Sequence, residues 1–313
     1  MSQAADGTPR VHHHGRAGEL FVIFVVNILL TVVTAGVYHF WAKTRVRRYL
    51  WSQTAFDGER FEYTGRGLEL FLGYLMVMAL LAVLALVYGL IVALLPAVEP
   101  FFMLALYVLV FVLTGVGIYS AQRYLLSRTR LRGIRFARTG SALAYAGRMI
   151  GHGLLTVLTL GLYAPFMRNA LVKYAFNNTW YGNERFAYNG RGRELFPEYL
   201  LTAFLTPFTL GLIWFWYRTL EYRYIASRLS LKNVNFAFAF TMPQLAWLSI
   251  SNFFVLLLTL GLAYPWVLVR RMRFFTRHLG PSGRPDYAAI AQSEERAPRV
   301  GEGLAEAFDL GAV

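Results

Sequence analysis

Six apolar stretches set the terms for this chain: residues 20–41, 70–95, 101–120, 150–167, 195–217 and 245–269. A bilayer core about 30 Å thick is crossed by roughly 20 helical residues, so each run reaches, or nearly reaches, that length. Composition agrees. Of 313 residues 57% are hydrophobic and 15% are charged, against about 25% charged in a soluble domain, and the mean hydropathy is +0.43. We expect an all-α polytopic membrane protein of about six transmembrane helices in internal repeats, with short β-strands in its basic loops. The chain has no cysteine, which excludes disulfides and thiolate chemistry.

Within these runs, glycines at 151, 153 and 161 weaken the fourth as a helix, and Pro207 predicts a kink near the middle of the fifth. The first run has no small-residue cleavage site and reads as an uncleaved anchor. Residues 1–18 are expected as a disordered N-terminus, 19–279 as the membrane domain, and 280–313 as a disordered acidic tail carrying Glu294, Glu295, Glu302, Glu306 and Asp309.

Internal repeats are evident. A shift of 125 residues lays 59–75 on 184–200 without a gap, with 12 of 17 positions identical. The same shift pairs Asn27 with His152, Thr34 with Thr159, Gly36 with Gly161 and Tyr49 with Tyr174. A second shift, of 100, pairs Phe136 with Phe236 and Thr159-Leu-Gly-Leu162 with Thr259-Leu-Gly-Leu262. The shared unit is an apolar helix ending in Thr-x-Gly, an aromatic cluster, a basic amphipathic stretch and a short strand. Alternation of aromatic and polar residues predicts strands at 60–64, 134–138, 185–189 and 234–240, with turn chemistry at Asp57-Gly58 and Asn189-Gly190.

Thr159-Leu-Gly-Leu-Tyr-Ala-Pro-Phe166 and Thr259-Leu-Gly-Leu-Ala-Tyr-Pro-Trp266, each leading into an Arg-rich helix, resemble the YjgN-like family of bacterial inner-membrane proteins. Asn178-Thr-Trp-Tyr-Gly182 and Phe186-Ala-Tyr-Asn-Gly190 extend the likeness over roughly 20–279. The family's domain has no known function, so the resemblance implies a bacterial inner (plasma) membrane location, multi-pass, and no activity. The chain departs from the pattern at 114–119 and 212–216, which lack the proline.

Positive-inside counting does not orient the chain, because alternate loops share the Lys and Arg residues almost evenly. The turn from Pro96 to Pro100 has none and belongs outside. Two readings follow. Either the two halves are inverted across six crossings, which is the reading adopted, or a weak segment is re-entrant and all basic loops share the cytoplasmic side.

Candidate functional residues fall in two groups. A polar stripe recurs at helical spacing: Asn27, Thr31 and Thr34; His152, Thr156 and Thr159; Thr202, Thr206 and Thr209; Asn252 and Thr259. It reads either as the lining of a small-solute pathway or, as is the default for uncharged intramembrane polar residues, as helix–helix hydrogen bonding at about 0.6 kcal/mol per bond. Arg45, Arg47 and Arg48, with Arg270, Arg271 and Arg273, read as contacts to anionic headgroups. Arg66 and Arg191, in Gly-Arg-Gly-x-Glu, are expected to bridge Glu69 and Glu194. His12-His13-His14 is weighed as a loose metal site against a solvated run, and the latter is favoured. With 31 Lys and Arg against 17 Asp and Glu, the partners expected are membrane lipids rather than nucleic acid, and a protein partner or a second copy of the chain fits the same loops. No cofactor or metal site is expected, and with no Walker loop, HExxH or GxSxG, no enzyme. Two functional classes stay open: permeation through the stripe, or a non-transporting module binding lipid headgroups or a partner through its basic-aromatic loops.

Overall fold

The computed structural model describes residues 10–283, 287 and 290–292. Its helices pair into five hairpins: α1 (Ala17–Val33) with α2 (His39–Ser52), α3 (Gly67–Leu94) with α4 (Glu99–Ser127), α5 (Ala142–Leu158) with α6 (Ala164–Asn177), α7 (Phe196–Leu205) with α8 (Ile213–Ser227), and α9 (Met242–Leu258) with α10 (Tyr264–His278). A β-hairpin follows each of the first four: β2 (Thr54–Phe56) with β3 (Glu59–Tyr63), β4 (Thr129–Leu131) with β5 (Ile134–Arg138), β6 (Thr179–Tyr181) with β7 (Glu184–Tyr188), and β8 (Leu229–Leu231) with β9 (Val234–Phe238). The fifth pair is divided between the ends of the described chain. β10 (Leu279–Ser282) follows α10, and β1 (Val11–His13) precedes α1. Neighbouring strands pair antiparallel in chain order from β1 to β10, and β1 lies beside β10. The sheet is a nearly closed ten-stranded barrel, and α10 packs on α1 to close the helical ring around Leu20, Leu50, Leu268 and Val269.

The all-α, six-span expectation is therefore corrected. Four of the six apolar runs are not single helices. Each turns back on itself at its Thr-x-Gly, where the residue before the glycine and the glycine itself both take positive φ: Ala35 and Gly36, Leu160 and Gly161, Leu210 and Gly211, Leu260 and Gly261. The glycine N–H reaches the carbonyl five residues back, Gly36 to Thr31 at 2.8 Å and Gly161 to Thr156 at 2.7 Å, which is the Schellman helix stop. Pro207 lies in such a turn rather than kinking a span. Only α3 and the stretch containing α4 are long and apolar enough to cross a membrane among the described residues.

The repeat is shorter than the two shifts suggested. Phe136, Phe186 and Phe236 recur every 50 residues, and Phe61 precedes Phe136 by 75 because α3 and α4 are longer. The four expected strands form to within two residues at either end, and each is the second strand of a β-hairpin. Asp57 and Gly58 make the β2–β3 turn with φ of 51° and 83°, as two-residue hairpin loops require. Asn189-Gly190 makes no hairpin turn: β6 and β7 are joined through Gly182 and Asn183, and Gly190 follows β7. There its missing side chain admits the Tyr188 ring, since a Cβ would lie 2.2 Å from the Tyr188 hydroxyl.

The ends differ from expectation too. Residues 11–13 form β1, α1 begins at Ala17, and β10 runs to Ser282, so β1 and the start of the tail are ordered parts of the barrel and residues 17–18 open α1. Ile290 is buried against Leu131, Tyr181 and Leu231. Residues 1–9 and the acidic positions from Glu294 to Asp309 lie outside the described residues.

Candidate functional site

A tyrosine near the end of the second helix ties each of the first four hairpins to its own beginning. The Tyr49 hydroxyl bonds the backbone N–H and carbonyl of Arg16 at 2.7 and 2.9 Å. Tyr174 does the same at Ser141, and Tyr224 at Arg191. Tyr124 instead donates to the Glu69 carboxylate at 2.8 Å. The fifth hairpin has Phe274 at this place. Glu69 and Glu194 pair with Arg128 at 2.9 Å and Arg228 at 2.6 Å, not with Arg66 and Arg191 as expected. The partners lie just past the end of the far helix of the same hairpin, which a local reading of Gly-Arg-Gly-x-Glu does not show. Arg66 and Arg191 are exposed.

The polar stripe runs within the hairpins. Thr34, Thr159, Thr209 and Thr259 each donate to the carbonyl four residues back, and each hydroxyl accepts the backbone N–H four residues on, across the turn: Tyr38, Tyr163, Ile213 and Ala263. Thr31, Thr156 and Thr206 bond the carbonyls of Asn27, His152 and Thr202, and Thr202 that of Glu198. Asn27 is buried and donates to the Ala42 carbonyl on α2 at 3.3 Å, and Asn252 accepts from Arg270 on α10 at 3.3 Å. His152 stacks on Tyr163, with Nδ1 3.3 Å from its hydroxyl.

The arginine clusters divide. Arg47 is buried and its guanidinium lies 3.5 Å from the Tyr63 hydroxyl. Arg273 donates to the Gly15 carbonyl at 2.6 Å, and Arg271 is exposed. Arg45 and Arg48 are exposed on α2, and with Arg66 they line a concavity of about 420 Å³ whose other wall holds Tyr38 and Trp41. Those two rings stack 6.4 Å apart. Gly67 closes this corner, since a Cβ there would sit 2.8 Å from the Trp41 Cα. Cationic heads, stacked aromatics and the exposed Leu68 set positive charge beside apolar surface at this corner.

Two features escaped the sequence reading. Glu221, 2% exposed on α8, is held by Arg168 at 2.8 Å and Arg218 at 2.7 Å, and its i,i+3 spacing from Arg218 was the available signal. The larger one is the barrel lumen. Phe61, Phe136, Phe186 and Phe236 occupy one position in successive units and point inward with Phe56 and Tyr181, enclosing a cavity of about 530 Å³. Trp51, Tyr222 and Met272 roof it from the helix ends. The Phe136 and Tyr181 rings meet at a tilt with centroids 4.7 Å apart, and burial raises the Tyr181 phenol above its ordinary value. At the turn end, Arg132 lies 3.8 Å over the Tyr287 ring, whose hydroxyl bonds Asp57 at 3.1 Å.

A family model described as a bacterial protein of unknown function (DUF898) matches residues 8–210 and 199–307. The chain belongs to this family. Three curated relatives resemble this DUF898 chain, each named inner membrane protein YjgN. The one from Escherichia coli O157:H7 is 34% identical over 125 residues, 40% of this chain and 29% of the relative. That from Salmonella typhimurium is 38% identical over 71 residues, 21% of this chain and 18% of the relative. That from Escherichia coli K12 is 40% identical over 62 residues, 20% and 16%. The chain thus matches less than a third of each relative's length. No solved structure matches it. The DUF898 chain is a membrane protein, and its relatives assign the family to the bacterial inner membrane.

Proposed function

We propose that this protein is a non-catalytic module of the inner membrane that gathers anionic lipid at its basic-aromatic collar, with the barrel on the cytoplasmic face. The observation that carries the reading is the concavity where Arg45, Arg48 and Arg66 meet Tyr38 and Trp41. The apolar surface supports it. Leu160, Leu210 and Leu260 at the hairpin tips are 94%, 92% and 91% exposed, and each holds a positive φ near 50° that costs a non-glycine residue about 1–2 kcal/mol. A strained, exposed leucine at three equivalent tips has no packing role in the protein, and an apolar medium outside supplies one. A 17-residue helix such as α1 or α5 is about 26 Å long. In this reading the four shorter hairpins enter the bilayer and return, while α3 and α4 cross it. What supports this over permeation is that the stripe hydroxyls close turns and helix pairs within each hairpin.

Charge reversal tests it. Extraction of the full chain with its surrounding lipid should show phosphatidylglycerol enriched over the bulk membrane, and the triple variant Arg45→Glu, Arg48→Glu, Arg66→Glu should lower that enrichment at least tenfold. That figure follows from about 1 kcal/mol for each arginine near an anionic surface. Enrichment unchanged in a folded triple variant overturns the reading.

A further inference from the structure

The barrel closes on nine hydrogen-bonded strand pairs, and its tenth edge is different. β1 pairs with β2 and β10 with β9, whereas β1 and β10 lie side by side without a ladder between them among the described residues. Outside this seam is a second concavity, of about 770 Å³, lined by Arg10, His12, His14, Arg273 and Arg277, with no carboxylate among its described lining residues. Inside it is the aromatic lumen. Val11 and Leu279 line both, so the two spaces meet at these side chains, one wall basic and the other apolar.

We propose that seam and lumen form one binding site for a single-chain anionic amphiphile. The carboxylate or phosphate head sits against Arg10, Arg273 and Arg277, and the acyl chain passes between β1 and β10 into the ring of phenylalanines. The lumen, at about 530 Å³, lies within the range of about 300–1,000 Å³ common to small-molecule sites. Its lining of Phe61, Phe136, Phe186 and Phe236 offers an acyl chain aliphatic contact and offers a polar solute almost no hydrogen bond. Burial of each further methylene strengthens binding about fourfold, so the chain supplies affinity and the arginines fix orientation. A cation on one side of an unbonded strand edge and an apolar chamber on the other complement such a molecule from head to tail. The site is separate from the collar at Arg45, Arg48 and Arg66, and either can fail without the other.

The test uses the full chain in nanodiscs of zwitterionic lipid, with palmitate or lysophosphatidylglycerol carrying a diazirine midway along the acyl chain, and adducts mapped by mass spectrometry. The expected result is labelling at Phe136, Phe186 or Met272 inside the barrel. Arg10→Glu with Arg277→Glu, both at exposed positions, should cut that labelling at least tenfold and leave labelling of the outer helix faces unchanged. Leu231→Trp, which fills the lumen, should abolish it while the folded fraction is followed by the thermal transition, and Leu231→Phe serves if the larger ring prevents folding. Stronger labelling by palmitate identifies a carboxylate head, and stronger labelling by the lysolipid a phosphate. Adducts confined to the outer helix faces, barrel adducts indifferent to the Arg10 and Arg277 charges, or complete protection by inorganic phosphate with no dependence on acyl-chain length would each overturn the proposal.

Discussion

At the scale of single residues, the glycines of the Gly-Arg-Gly segments show how tightly each unit is built. Gly65 and Gly190 are where the Tyr63 and Tyr188 rings fold back, and a Cβ there would lie 2.4 and 2.2 Å from the phenolic oxygens. Tyr188 is fully buried and accepts a hydrogen bond from Asn169 at 2.9 Å, so its ring has nowhere to retreat. Gly190→Ala should cost about 1–3 kcal/mol, the range for overpacking a filled site, while Gly18→Ala, where a Cβ would meet nothing within 4 Å, should not lower stability. Thermal or denaturant midpoints of the two variants in detergent check this, and equal midpoints would refute the packing argument. His13 gives the second residue-scale prediction. It is buried on β1, with Nδ1 2.9 Å from the Thr54 hydroxyl. Burial first, then the neighbouring Arg273 and His14 charges, hold its imidazole at about 4 against the ordinary 6.5. With β1 released, His13 takes up a proton below about pH 6.5 that the docked strand cannot accept until about pH 4. Docking is therefore strongest above pH 6.5 and weakens as pH falls through that window. Hydrogen exchange at residues 11–13 should accelerate between pH 6.5 and 4, after correction for intrinsic rates, and should lose that dependence in His13→Phe.

At the scale of elements, the hairpin turns separate what the sequence shows from what it hides. The Thr-x-Gly signature is legible as a helix end, and the strand expected at 134–138 coincides with β5 to the residue. Yet four apolar runs of roughly membrane length read as single crossings through that same signature. Hydropathy averages over a turn made of Leu-Gly-Leu as readily as over a helix, because the turn's chemistry resides in positive φ and not in polarity. The short first strands, such as Thr129–Leu131, were hidden because three residues carry too little alternation to stand out beside a long amphipathic helix. The arginine groove was half legible. The sequence points to Arg45 and Arg48, Arg47 is buried, and Arg66 joins the two only through the packing of Gly67 on Trp41. The lumen was missed although two pairings of its phenylalanines, Phe61 with Phe186 and Phe136 with Phe236, were in view. Strand alternation says that one face is apolar, but only closure of all five units makes that face an interior. The tip leucines yield a prediction of unusual sign. Leu210→Gly should raise stability in detergent by about 1 kcal/mol, by relieving the left-handed strain, and should weaken retention of the tip in the bilayer. The denaturation midpoint, with spin-label depth measured at the exposed neighbouring position Phe208→Cys, reads both effects. A lower midpoint in detergent would show that the leucine packs within the protein.

At the scale of the whole molecule, one rule accounts for the charge distribution that defeated orientation by loop counting. Every helical hairpin of the ring begins and ends at the barrel, so the basic stretches after α2, α4, α6, α8 and α10 all lie at one end, and their apolar turns at the other. Parity along the chain assigns alternate loops to opposite sides and so divides one basic surface into two nearly equal halves. Cysteine accessibility on the β-hairpins, in a chain that has no native cysteine, separates a shared barrel face from alternating sides. Glu59→Cys, Arg130→Cys, Asn183→Cys and Asn233→Cys, all at exposed positions, should react with a membrane-impermeant thiol reagent only when the cytoplasmic face is opened to it. Periplasmic labelling of Asn183→Cys, with the other three cytoplasmic, would contradict the shared barrel face.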